Sequence, residues 1–197
     1  MSSQISGVIL AAGESRRFAG SLPKQLLEVS GEPMVRRIVR EALNSHLDEV
    51  IVVVGFKADS VRQALARLQV KIVDNPDYSA GQSTSVKQGL QALNPAASAA
   101  IFIPSDQPFL NASLLNRLIK AYKTTSSPIV APAYQGRRGS PVLFDRSLFK
   151  ELSSISGDEG GRQILQNREH EIITVALENE LPLLDIDTPQ DLRYLKE

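Results

Sequence analysis

Short aliphatic runs, each stopped by glycine or proline and followed by a stretch with helical spacing, constrain this chain more than any other feature. Ile5 to Leu10 is such a run and breaks at Gly13, Val50 to Val54 is closed by Gly55, and Ala99 to Ile103 is closed by Pro104. Lys71 to Val73 is read as a further short strand. Unbroken apolar runs of this kind read as strands buried on both faces. Between them the apolar residues recur every three or four positions. Pro33 opens a helical pattern carrying Met34, Val35, Ile38, Val39 and Leu43, which ends near Asn44. Asp59 is placed to cap a helix with Val61, Leu65 and Leu68 on one face, and Asn111 to cap one with Leu114, Leu115, Leu118 and Ile119. A further helix is expected over about Ser85 to Leu93.

Strand and helix alternating in this way predict an α/β fold with a mostly parallel sheet. No repeat, low-complexity tract or long linker divides the chain, so residues 1–197 are read as a single three-layer α/β/α domain. In the last third, Ile129 to Ala133 and Pro141 to Phe144 flank the turn Gln135 to Ser140 and predict a hairpin. Gly160 to Gln166 is expected to be helical, Ile172 to Ala176 and Leu183 to Ile186 to be strands, and Thr188-Pro189 to start a final helix. Ligands of open parallel sheets bind beyond the carboxyl ends of the strands. The loops beginning at Ala11, Gly55, Asn75 and Pro104 are therefore expected to share one rim.

Charge and composition limit the chemistry at that rim. Twenty-two basic residues cancel twenty-two acidic ones. Such a chain lacks the broad positive field of a nucleic-acid binder, so an anionic substrate needs a local cluster of positive groups. The absence of cysteine removes disulfides, thiolate nucleophiles and zinc–sulfur sites. His46 and His170, the only histidines, sit in no recognisable catalytic motif and are read as surface residues. Met1 to Ser6 lacks the basic start of a signal peptide and Val8 to Ala12 is too short to cross a membrane, which predicts a cytoplasmic protein.

The first loop, Leu10-Ala11-Ala12-Gly13-Glu14-Ser15-Arg16-Arg17-Phe18, offers small residues through which backbone N–H groups can approach an anion. Arg16, Arg17 and Lys24 add positive charge, and phosphate is the expected guest. Neither GxGxxG nor GxxxxGK[ST] is present, so the loop belongs neither to a dinucleotide-binding dehydrogenase nor to a P-loop NTPase. A plain β–α turn with solvated arginines is the competing reading.

LAAGESRRF followed by Pro23-Lys24 resembles the signature LAAGxSxRMGxxK of the nucleotidyltransferases related to molybdenum cofactor biosynthesis, the MobA-like NTP transferases, within the nucleotide-diphospho-sugar transferase superfamily. Phe18 stands in place of methionine, and two extra residues precede Lys24, a spacing similar to that of the methylerythritol-phosphate cytidylyltransferases. Further stretches resemble the family in the expected order. They are Asn75-Pro76-Asp77 through Gly81-Gln82-Ser83-Thr84-Ser85, Ser105-Asp106-Gln107-Pro108, Gly139-Ser140-Pro141-Val142-Leu143-Phe144, Gly157-Asp158-Glu159-Gly160-Gly161-Arg162, and Asp185-Ile186-Asp187-Thr188-Pro189. The resemblance runs from Val8 to Leu192.

The resemblance implies a Rossmann-like nucleotide-diphospho-sugar transferase fold and the transfer of a nucleotide, CMP from CTP, to molybdopterin or the molybdenum cofactor, with pyrophosphate released. Leu10, Ala11, Ala12, Gly13, Lys24, Gly81, Ser83 and Ser85 are expected to hold the nucleotide, with Arg17, Lys24 and Asp106 catalytic. Asp106 ends a strand, and a carboxylate beside phosphates calls for a cation between them; Mg²⁺ is the expected ion. Asp185 and Asp187 alternate along an extended segment and share a face, so at least one is expected to supply a second metal contact. Gly139 and Arg162 are expected to face the acceptor. Ala12 matches the LAAG form that tends to mark cytidylyltransferases rather than guanylyltransferases. A sugar- or polyol-phosphate acceptor remains open, as does a non-catalytic protein that carries a cofactor to an enzyme. The implied partners are CTP or another NTP, a phosphorylated acceptor and a molybdoenzyme receiving the product, with no nucleic acid and no membrane.

Overall fold

The structure, a computed structural model, describes residues 3–14, 23–159 and 161–195. The strands of the main sheet are β1 (Gln4–Ala11), β2 (Glu49–Val54), β3 (Lys71–Asp74), β4 (Ala97–Pro104), β5 (Ile129–Tyr134), β6 (Arg137–Arg138), β7 (Val142–Asp145) and β8 (Ile172–Ala176). The helices are α1 (Met34–Leu43), α2 (Ala58–Ala64), α3 (Gln82–Ala92), α4 (Ala112–Thr125), α5 (Phe149–Leu152) and α6 (Arg162–Asn167). A two-residue ribbon, Glu28–Val29 against Glu32–Pro33, stands apart.

The sheet order is β8-β5-β7-β4-β1-β2-β3, with β6 paired on β5. β1 runs parallel to both β2 and β4, β2 parallel to β3, and β8 parallel to β5. β7 is antiparallel to both β4 and β5, and its pairing with β5 makes the hairpin read from the sequence. The chain winds outward from β1 through β2 to β3 and then returns to the other side of β1 as β4. The order therefore reverses between β1 and β4, the position where open α/β sheets form their ligand crevice.

Strand residues alternate between two apolar clusters. One holds Ile5, Ile9 and Ala11 of β1 with Met34, Val35, Ile38, Val61, Leu114, Leu115 and Leu118, so α1, α2 and α4 cover that face. The other holds Val8 with Val86, Leu148, Leu152 and Ile164, so α3, α5 and α6 cover the opposite face. The result is a single α/β domain of three layers. Among the described residues no helix is long and apolar enough to cross a membrane.

Several local expectations change. The strand expected over Leu183 to Ile186 is absent: Leu181–Leu183 forms a 3-10 turn, with Pro182 lacking a ladder N–H, and the Ile186 N–H donates to the Asp106 carbonyl at 2.8 Å instead of joining a sheet. The final helix does start at Pro189, and it is a 3-10 helix over Pro189–Leu195. Asp59 does not cap α2, because Lys57 holds that position with φ +50° and Asp59 lies inside the first turn. The third helix starts at Gln82, because Gly81, with φ +110°, turns the chain three residues earlier than expected. Asn111 does cap α4, accepting from the Leu114 N–H at 2.9 Å.

Candidate active site

The site is assembled at the ends of β1 and β4. β1 delivers Leu10, Ala12, Gly13 and Glu14, and β4 delivers Pro104, Ser105 and Asp106 to the same rim. Close packing draws in the next two loops. A methyl group on Gly55 would lie 2.7 Å from Tyr78 Cβ and 2.9 Å from Ala12 Cβ, so the absence of a side chain there lets three loops meet. Together they bound a cleft of about 460 Å³ lined also by Lys24, Gln25, Ser79, Gly81, Gln82, Ser85, Asp158 and Asp187.

Lys24 is the electrostatic centre of this cleft. Its Nζ donates to Asp106 Oδ2 and to Asp187 Oδ1, each at 2.7 Å. Burial works against the ammonium, but the charges and hydrogen bonds of Asp106 and Asp187 outweigh it, and the lysine titrates above its ordinary value. The backbone that carries it is fixed by its neighbour: Gln25, only 2% exposed, donates from Nε2 to the Gly13 carbonyl at 2.9 Å. Asp187 is held by its own turn. Asp191 Oδ2 accepts from the Asp187 N–H, the Thr188 N–H and the Thr188 hydroxyl at 3.1, 2.7 and 2.9 Å. The Thr188 hydroxyl and N–H keep the Asp191 carboxyl below the usual carboxylate range.

The loop before α3 is built around a buried asparagine. Asn75 Nδ2 donates to Thr84 Oγ1 at 2.8 Å and to Ser85 Oγ at 2.9 Å, leaving Ser85 on the cleft wall. The N-terminus of α3 has no cap from its own sequence; the Gln82 N–H donates instead to Asp158 Oδ1 at 3.3 Å, from a segment 76 residues away. A methyl on Gly81 would come within 2.6 Å of the Gly157 backbone, so this docking also depends on glycine.

A second cavity, of about 590 Å³, adjoins the first and shares Leu10, Gln82 and Pro104 with it. Val86, Phe102, Val142, Phe144, Leu152 and Leu165 supply apolar walls, and Arg137, Arg138 and Arg162 bring positive charge. Asp185 lines this second cavity and Asp187 the first. Burial on its protein side pushes the Asp185 carboxyl up to about 6, reinforced by the negative charges of Asp106 and Asp187, although the side chain is partly open to solvent.

The geometry thus brings together Leu10, Ala12, Gly13, Lys24, Gly81, Ser85, Asp106 and Asp187 at the first cleft, and Gly139, Arg162 and Asp185 at the second. Ala11 and Ser83 are buried off both linings. Arg17 lies outside the described residues.

The profile of the MobA-like NTP transferase domain matches residues 7–172. The chain belongs to that family. Two relatives align over nearly their whole length. Nicotine blue oxidoreductase of Paenarthrobacter nicotinovorans is 29% identical over 97% of this chain and 96% of that one. The purine catabolism protein PucB of Bacillus subtilis (strain 168) is 28% identical over 94% and 92%. Among solved structures, Rv0371c from Mycobacterium tuberculosis H37Rv, in complex with manganese, superposes with a TM-score of 0.84 at 30% identity, covering 98% of each chain.

This MobA-like transferase is a nucleotidyltransferase, and its cleft fits a divalent cation. The available donors are carboxylate oxygens, and Asp106 Oδ1 is buried with no hydrogen-bond partner among the described residues. Among those residues no group of three or more acidic or histidine side chains encloses a metal alone. One or two carboxylates completed by substrate phosphates is the usual arrangement for Mg²⁺.

Sequence reasoning missed Gln25, Asn75, Asp158 and Asp191. Asp191 carried a signal, since Thr188-Pro189-Gln190-Asp191 has the spacing of a capping box. Asp158 lies in a stretch that resembles the family, but neither it nor Gln25 carried a signal for its partner, because those partners are set by tertiary packing.

Proposed function

We propose that this protein uses Mg²⁺ to transfer CMP from CTP to molybdopterin or the molybdenum cofactor, releasing pyrophosphate. The observation that carries the reading is the pair of adjoining cavities, one holding a lysine that bridges Asp106 and Asp187, the other lined by apolar walls and three arginines. A flat ring system bearing a phosphate suits the second cavity better than a polyol would, because the ring face can pack on Val86, Phe102 and Phe144, against which a polyol would leave its hydroxyls. Ala12, which lines the first cavity, matches the LAAG form that tends to mark cytidylyltransferases, and this supports CTP as the donor.

The triphosphate binds along the first loop and Lys24, whose ammonium offsets its charge and that of the departing pyrophosphate. Asp106 and Asp187 hold the cation, which when bound withdraws charge from the phosphate oxygens. Arg162 and its neighbours grip the acceptor phosphate, since a planar guanidinium matches phosphate oxygens. The two walls align the acceptor oxygen with the α-phosphorus, so the protein contributes mainly orientation and charge neutralisation. An acceptor phosphate is already a competent nucleophile and needs no strong general base.

The test is pyrophosphate release, measured with each NTP plus Mg²⁺ and either molybdopterin or a panel of sugar and polyol phosphates. Release only with CTP and molybdopterin supports the reading. Release with a different NTP or acceptor replaces that part of it, and none with any pairing favours a protein that carries the cofactor without catalysis.

A further inference from the structure

We infer that Lys24 is a stand-in cation: its ammonium bridges Asp106 and Asp187 in the nucleotide-free protein and keeps a divalent ion off that pair until a nucleoside triphosphate draws the lysine away. The inference rests on the reading of the first cleft as an NTP site.

Both carboxylates spend an oxygen on the same ammonium, Oδ2 of Asp106 and Oδ1 of Asp187, each 2.7 Å from Nζ. The contacts are charge-assisted, and the lysine is the more enclosed partner in both, 14% exposed against 22% for Asp106 and 41% for Asp187. A divalent ion entering beside the seated lysine would meet a like charge at contact distance, although Asp106 Oδ1 is buried with no hydrogen-bond partner among the described residues. To take both carboxylates it must evict the ammonium. Eviction into water sacrifices two strong contacts, whereas transfer to a triphosphate replaces them with contacts to a more highly charged anion.

The lysine is built to make that transfer. The amide of Gln25 ties the adjoining backbone to Gly13, so the Lys24 Cα stays in place while its flexible four-carbon stem swings. Gly13 and Glu14, just beyond the end of β1, line the same cleft as the lysine. The ion therefore enters with or after the nucleotide, and each ligand strengthens the other by the same factor.

The test is a titration of the nucleotide-free protein with Mn²⁺ alone, following free Mn²⁺ by electron paramagnetic resonance. Lys24→Met should bind Mn²⁺ at least about tenfold more tightly than the wild type, within the usual range of coupling between two ligands. Lys24→Arg, which keeps the charge, should bind like the wild type, and adding Asp106→Asn to Lys24→Met should abolish the gain. Equal Mn²⁺ affinity in wild type and Lys24→Met, or a gain that survives Asp106→Asn, overturns the inference. If Lys24→Met does not fold, the ¹⁵Nζ signal of Lys24 in the wild type decides. It should stay in place with Mg²⁺ alone and move with CTP in the presence of a chelator; movement with Mg²⁺ alone overturns the inference. Neither measurement uses turnover, so absence of pyrophosphate release would end the proposed activity and leave this result to stand separately.

Discussion

Lys24 Nζ lies 2.7 Å from Asp187 Oδ1 although 163 positions separate the two in the chain. The first cleft is therefore closed by the last part of the fold, and the segment after β8 supplies part of its lining. The Ile186 N–H on the Asp106 carbonyl holds that segment against the end of β4. Lys24→Ala and Asp106→Ala should each lower turnover on the order of a hundredfold or more, the usual size for one preorganised charge contact. Pyrophosphate release under saturating NTP checks this, and a near-normal rate in either variant would discredit the assignment.

Gly81→Ala should damage the nucleotide cleft from outside its charged centre. The position has φ +110°, a conformation that costs a side chain about 1–3 kcal/mol. The new methyl would also meet the Gly157 backbone at 2.6 Å, which cannot give way like the tip of a side chain. Urea unfolding should show a loss of about 2 kcal/mol or more. NTP affinity should fall with it, because Gly81, Gln82 and Asp158 all line the cleft. A variant of wild-type stability would show that the 157–159 segment is not seated on α3 as described.

The parallel core was readable because its central strands carry short apolar runs closed by glycine or proline, and the loops from Ala11, Asn75 and Pro104 do meet at one rim with Gly55 packed against Ala12 and Tyr78. The segment from Leu183 to Ile186 was misread as a strand because its apolar residues Leu183 and Ile186 pack into the core beside β1, α1 and α4 rather than pair in a ladder. The same alternation suggested that Asp185 and Asp187 share a face; off the sheet they line different cavities. Ser83 fits the phosphate motif in sequence, yet helix periodicity turns it into the interior while Ser85 is held on the cleft wall by Asn75. Long-range partners such as Asp158 on Gln82 leave no trace in spacing.

Tyr122 and Asp145 offer a pH-dependent test of the fold away from the site. The Tyr122 hydroxyl donates to Asp145 Oδ2 at 2.6 Å. Burial pushes the Asp145 carboxyl up, but Tyr122 and Ser147 outweigh it and hold it below its ordinary value, while burial and Asp145 raise the phenol. A depressed carboxyl contributes stability that is complete above its unfolded value and is lost as pH falls through the lower folded value. Tyr122→Phe should therefore cost about 1 kcal/mol near neutral pH. Chemical denaturation at a series of pH values should show the gap between variant and wild type narrowing below about pH 4, near the unfolded carboxylate pKa. A gap that is constant with pH would mean that the hydroxyl does not act through the Asp145 charge.

Asp185 and Asp187 differ by two positions and face different cavities, which predicts different kinetic defects. Asp187→Asn weakens one of the two carboxylates around Lys24, so it should lower turnover strongly while leaving acceptor KM near the wild-type value. Asp185→Asn changes the wall of the second cavity beside Gln107, so acceptor KM should move more than turnover. A shift in KM alone reports lost binding that is equal in ground and transition states, whereas a matching fall in kcat and kcat/KM reports an interaction made only in the transition state. Steady-state kinetics of both variants, with molybdopterin varied at saturating CTP and Mg²⁺, separate the two. If Asp185→Asn instead abolishes turnover as Asp187→Asn does, Asp185 joins Asp106 in holding the cation and the division of labour between the cavities fails.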